Sequence, residues 1–246
     1  MKIYPSFRLQ LRDHIPAVII YYIVLISMAL LSLALIPFMT PNDNVHVTTN
    51  GVTVVTIIFA YVCSLCAFKD SFLLNIQHSV SRRTQFIARL GTLGAVCAVL
   101  ALGDELYILA LTGLGRLFPT VFSGESLYRM IYSYDGMSPK GQVFDIIFSF
   151  FSFLAVSSLG YLLTVLNYRL NKIGKVLFWA GTPIAVGLIA SYISAHPSIA
   201  GIIIPFLTGL IWALFSSLPR MIISCTMLTV IFSGLTWLLM RRAGVK

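Results

Sequence analysis

The sequence predicts a single all-α domain over residues 1–246: a polytopic membrane helix bundle of about six spans. Three observations carry that prediction. Hydrophobic residues make up 58% of the chain and charged residues only 10%, where a soluble domain has roughly 45–50% and about 25%. The apolar residues fall in runs near the ~20 residues that a helix needs to cross a bilayer. The basic residues gather in the short connections between those runs, as they do in membrane proteins with a positive cytoplasmic side. A formal net charge of +9 would raise nucleic acid as a partner of a soluble chain. Here the placement of the charges gives it a topological meaning first, so no nucleic-acid partner is expected.

Residues 1–15 interleave Lys2, Arg8 and Arg12 with Ile3, Phe7, Leu9 and Leu11. Either an amphipathic helix lies there at the headgroup level or the terminus is frayed and basic. The first span follows over about 16–38, too long for a signal-peptide core, so it reads as retained. A turn with Pro41, Asn42 and Asn44 leads to the second span, about 52–68. From Lys69 to Gln85 the chain is polar, yet Phe72, Leu73, Ile76 and Val80 recur at helical spacing, with Asp70 or Ser71 available as N-cap. The third span covers about 86–112. The connection 113–142 is rich in Phe and Tyr, as interfacial segments are, and predicts a short helix after Ser123. The fourth and fifth spans cover about 143–166 and 176–195, and the last about 221–240. Small residues recur on these runs, as in Gly91 with Ala95 and Gly181 with Ala185, and permit close helix approach.

Residues 199–218 are apolar enough to span but contain Pro205 and end at Pro219-Arg220. Charge sorting decides how they are read. If this segment dips in and returns as broken half-helices, 13 of the 17 Lys and Arg share one side. If it crosses, the split is 11 against 6. The positive-inside preference favours the re-entrant path, six spans and both termini cytoplasmic. Such an element needs protein or water beside it, which implies a partner subunit.

Few residues suggest chemistry. The phosphate-binding loop G-x-x-x-x-G-K-[ST] and the motifs H-E-x-x-H and G-x-S-x-G are absent. His14, His46, His78 and His196 fall on different segments, so neither a metal site nor an enzyme is expected. Cys63, Cys66, Cys97 and Cys225 lie in apolar runs and read as small packing residues. Asp104 and Glu105 stand out as adjacent acids in the third run, where a charge costs at least roughly 2.5–3.5 kcal/mol. They are either a substrate-contact, gating or coupling pair, or acids that reach the outer headgroups or pair with Arg116. From Phe86 to Asp104 the helix rises about 27 Å, which favours the outer position.

Phe68, Lys69, Asp70 and Phe72, followed by an amphipathic stretch ending in Ser81-Arg82-Arg83-Thr84-x-Phe86, resemble a known pattern. It is similar to that of small bacterial permease subunits of ATP-binding-cassette exporters, the ABC-2 superfamily. The chain departs from it at His78-Ser79-Val80, where a glycine is expected. The resemblance implies that Phe72, Leu73, Ile76, Ser81, Arg82 and Arg83 belong to a cytoplasmic coupling helix that docks on a separate ATPase. It implies two permease subunits with an ATPase pair in a bacterial cytoplasmic membrane, ATP and Mg held by the partner, no cofactor in this chain, and an amphipathic or hydrophobic cargo such as a peptide. From the residues alone, a proton- or cation-coupled secondary transporter using Asp104 or Glu105 stays open, as does a non-transporting immunity or sensor protein.

Overall fold

The structure, a computed structural model, describes residues 3–39, 47–48, 51–66, 74, 77, 80–117, 122–123, 126–132 and 138–241. Among these it is an all-α bundle of eight helices: α1 (Ile3–Met39), α2 (Val52–Cys66), α3 (Arg82–Leu117), α4 (Leu127–Tyr132), α5 (Pro139–Arg169), α6 (Lys172–Ala195), α7 (Pro197–Phe215) and α8 (Leu218–Arg241). One two-residue parallel pairing, Val47–Thr48 against Phe122–Ser123, joins the connections after α1 and α3. Five helices, α1, α3, α5, α6 and α8, are long and apolar enough to cross a membrane. The 15 described residues of α2 rise only about 22 Å, short of a ~30 Å hydrocarbon core. The predicted end of that span at Phe68 lies outside the described residues.

Hydrogen bonds between helices give their directions. Tyr22 Oη donates to the Leu100 carbonyl (3.0 Å) and Tyr107 Oη to the Leu25 carbonyl (3.3 Å), so α1 and α3 run parallel. α2 and α5 also run parallel. An added Cβ at Gly160 would lie 2.9 Å from the Tyr61 carbonyl oxygen, and Thr164 donates to the Leu65 carbonyl (3.0 Å). α8 runs with α5, packing Met221 and Cys225 against Phe148 at one end and Met240 against Tyr161 at the other. α3 opposes α5, pairing Leu100 with Phe153 and, further along, Leu93 with Tyr161 and Val165. Each contact uses a small or aromatic side chain to bring two apolar helices together, since lipid supplies no hydrophobic drive for association.

These directions place the ends of α5 and α8 at the level where α1 and α3 begin. Arg82 at the start of α3 donates to the Arg241 carbonyl at the end of α8 (2.9 Å). At the opposite level, Tyr132 Oη donates to the carbonyl of Phe215, the last residue of α7 (2.6 Å). The stretch Leu170–Ser217 therefore carries the chain from the level where α5 ends to the level where α8 starts.

Two expectations need correction. Residues 199–218 are not broken half-helices, because α7 is continuous from Pro197 through Pro205 to Phe215. Pro205 removes only the backbone bond to the Gly201 carbonyl, a loss that an apolar helix tolerates. The N-terminal segment is neither frayed nor a separate element, since α1 is helical from Ile3 past Pro16 to Met39. The face it buries is polar: Ser6, Gln10 and His14, four residues apart, while Arg8 and Arg12 are exposed. The short helix expected after Ser123 is α4. α6 buries none of its residues, and Ile202, Phe206 and Trp212 of α7 are exposed as well.

Candidate functional site

Asp104 and Glu105 lie about 33 Å along α3 from its start at Arg82, and both are buried, 2% and 5% exposed. Both are enclosed by protein rather than free at its surface. Arg129, from the first turn of α4, supplies the countercharge for Glu105: its Nη2 lies 3.1 Å from Glu105 Oε1. Its Nε lies 3.0 Å from Asp145 Oδ2 on α5, close enough to pair but poorly aligned for a hydrogen bond. Ser126 fixes the geometry, donating to Asp145 Oδ2 (2.5 Å) and capping α4 by accepting from the Arg129 amide (3.2 Å). A buried carboxylate is tolerable when paired and hydrogen-bonded in this way.

Asp104 is held differently. Its Oδ1 accepts from Tyr22 Oη (3.2 Å), whereas Oδ2 has no hydrogen-bond partner among the described residues. The Thr56 hydroxyl lies beside the carboxyl, but it already bonds Tyr21 Oη (2.6 Å) and the Val52 carbonyl (3.1 Å). Gly103 makes room for this arrangement, because an added Cβ would overlap the Tyr22 hydroxyl. The predicted pair thus splits into an ion-paired Glu105 and a tyrosine-bound Asp104. The expected partner Arg116 is described in backbone only.

Below α4 the ring of Tyr128 packs on Phe148 and on Tyr132. Burial and then Tyr128 push the Tyr132 hydroxyl above its usual range, so it remains the donor to Phe215. One six-residue helix thereby ties together α3, α5 and the end of α7.

The second predicted site lies at the opposite level. Phe72, Leu73 and Ile76 fall outside the described residues, while Leu74 and Gln77 are helical and exposed. Ser81 is the N-cap of α3: its Oγ accepts from the Thr84 amide (3.2 Å) and meets the Thr84 hydroxyl at 2.8 Å. Arg82 reaches the α8 terminus, as described above, and the motif's basic end is fastened to the last helix. Arg83 belongs to the same first turn of α3.

Three functional-looking residues escaped the sequence reading. Asp145 stands alone in an apolar run, the signal for a buried intramembrane charge. Arg89 counts among the 13 basic residues that charge sorting puts on one side, yet it is 3% exposed and donates to His14 Nε2 (2.9 Å). Arg129 gave no local signal, since its acids lie 24 residues before and 16 after it. Among the described residues no group of three or more His, Cys, Asp or Glu side chains is placed to hold a metal. Comparison of the chain with models of known protein families, with curated proteins and with solved structures finds no match in any of the three.

Proposed function

We propose that this chain is the membrane-spanning permease subunit of an ATP-driven exporter, moving an amphipathic or hydrophobic substrate such as a peptide. A separate ATPase pair supplies the nucleotide chemistry, and a second permease subunit, identical or different, completes the transport unit in a bacterial cytoplasmic membrane. The observation that carries this reading is the junction at Ser81–Arg82. It caps α3 and bonds the end of α8, so a push on residues 69–81 reaches two helices of the packed bundle at once. The helix directions support six crossings with both termini on one side, because α6 and α7 together need to supply one net crossing, and the charge sorting supports taking that side as cytoplasmic. A bundle of this kind works as a bistable element biased by ATP binding in its partner.

The test is affinity capture of the tagged chain from mild detergent beside a Phe72→Ala/Arg82→Glu variant. Capture of an ATPase by the parent and its loss from the variant is the expected result. No ATPase with either chain, under conditions that preserve such complexes, sinks the proposal. A second reading, a proton- or cation-coupled secondary transporter, rests on the unpartnered Asp104 oxygen. It requires transport without ATP that Asp104→Asn abolishes.

A further inference from the structure

Arg89 sits about 10 Å along α3 from Arg82, on a buried polar seam between the first turns of α1 and α3. Its Nη1 is spent on His14 Nε2. A guanidinium only donates, so His14 accepts there and its Nδ1–H points to Cys63 Sγ, 3.1 Å away. The Arg89 face lies over the Tyr161 ring, 5.5 Å from its centroid. The remaining edge, Nε with Nη2, has no hydrogen-bond partner among the described residues. That edge is the fork with which arginine grips a phosphate or carboxylate through two parallel bonds. Asp13, beside His14 on α1, acts on Arg89 electrostatically from an exposed position. Gln10 Oε1 and Gln85 Oε1 on the same seam are buried and also unpartnered.

Beside His14 an apolar groove of about 180 Å³ runs between α1 and α3, lined by Leu11, Ile15, Val18, Val96 and Val99. Leu11 and Ile15 also line a wider groove on α1 that carries Arg8 and Arg12. A buried cation with an open fork, acceptors for hydroxyls nearby, and an apolar groove beside its histidine partner are the features of a phospholipid site. We infer that Arg89 binds the phosphate of an anionic phospholipid, with an acyl chain along the α1–α3 groove. The start of α1 packs close by, with the Phe7 ring against Gly91, two residues from Arg89. The lipid then clamps α1 to α3 at one end of their parallel contact.

The test uses the full chain purified in detergent, with phosphatidylglycerol, phosphatidylcholine or inorganic phosphate added. Lipid retention by native mass spectrometry and the thermal midpoint are both read. Charged hydrogen bonds predict phosphatidylglycerol held about tenfold or more tighter than phosphatidylcholine, with the difference lost in Arg89→Gln. Arg89→Lys, which keeps the charge without the fork, should fall between. Equal retention by Arg89→Gln and the parent overturns the site. Equal protection by inorganic phosphate alone overturns the lipid as its occupant. If Arg89→Gln does not fold, Val99→Phe on the exposed groove wall serves instead. It should weaken phosphatidylglycerol retention, and unchanged retention overturns the inference.

Discussion

α3 carries a buried polar cluster near each end, and the two differ in kind. At one end Arg129 faces Glu105 and Asp145 within 3.1 Å, with Ser126 bonding both the acid and the helix that presents the arginine. At the other, Arg89 has a histidine and a ring for company. About 22 Å separates Arg89 from Asp104 along the helix. In the first cluster the chain itself supplies both signs of charge and fastens α4 over α3 and the start of α5. The second leaves one edge of its arginine without a hydrogen-bond partner among the described residues, with Asp13 acting on it only electrostatically from the surface. A buried charge in an apolar bundle therefore reads as structure or as a site according to whether a buried countercharge comes from the same chain.

The largest expected effect follows from breaking the first cluster. Arg129→Leu leaves two buried carboxylates without their cation and should cost about 3–5 kcal/mol, seen as a lowered thermal midpoint in detergent. Adding Glu105→Gln and Asp145→Asn to that variant should recover more than half of the loss. A triple variant as unstable as the single one would mean that packing of α4, rather than charge, holds this end.

A smaller effect separates the packed half of the molecule from the unpacked half. Gly160→Ala drives a methyl against the Tyr61 carbonyl and should cost about 1–3 kcal/mol. At Gly181 on α6 an added Cβ meets nothing within 4 Å, so Gly181→Ala should be neutral or add up to ~1 kcal/mol through helix propensity. Equal losses at both positions in the isolated chain would contradict the view that α6 stands apart from the core.

Most of the helices are legible in the sequence because apolar length alone encodes them: α3, α5, α6 and α8 each contain the predicted run and extend it by one to a few residues at most ends. The continuity of α1 past Pro16 was not, since its buried face of Ser6, Gln10 and His14 acquires meaning only against Arg89 on another helix. Pro205 suggested a break that α7 does not make, because one missing backbone bond does not end a helix whose other bonds are kept. The site was half legible. Asp104 and Glu105 announce themselves as charges in an apolar run, but Arg116 looked like the partner only for being nearest in sequence. The actual cation, Arg129, is delivered by α4, and no periodicity reports a contact of that kind.

The smallest expected effect is also the most telling. Arg89→Gln removes a buried charge whose Nε–Nη2 edge has no hydrogen-bond partner among the described residues, so without added lipid it should change stability by no more than about 1 kcal/mol, or increase it. The decisive measurement is a paired thermal melt of Arg129→Leu and Arg89→Gln in lipid-free detergent, followed by tryptophan fluorescence. The difference between the clusters predicts a large drop for the first variant and little change or a rise for the second. Comparable large drops in both would show that Arg89 is as fully partnered as Arg129 and that the two ends of α3 do not differ.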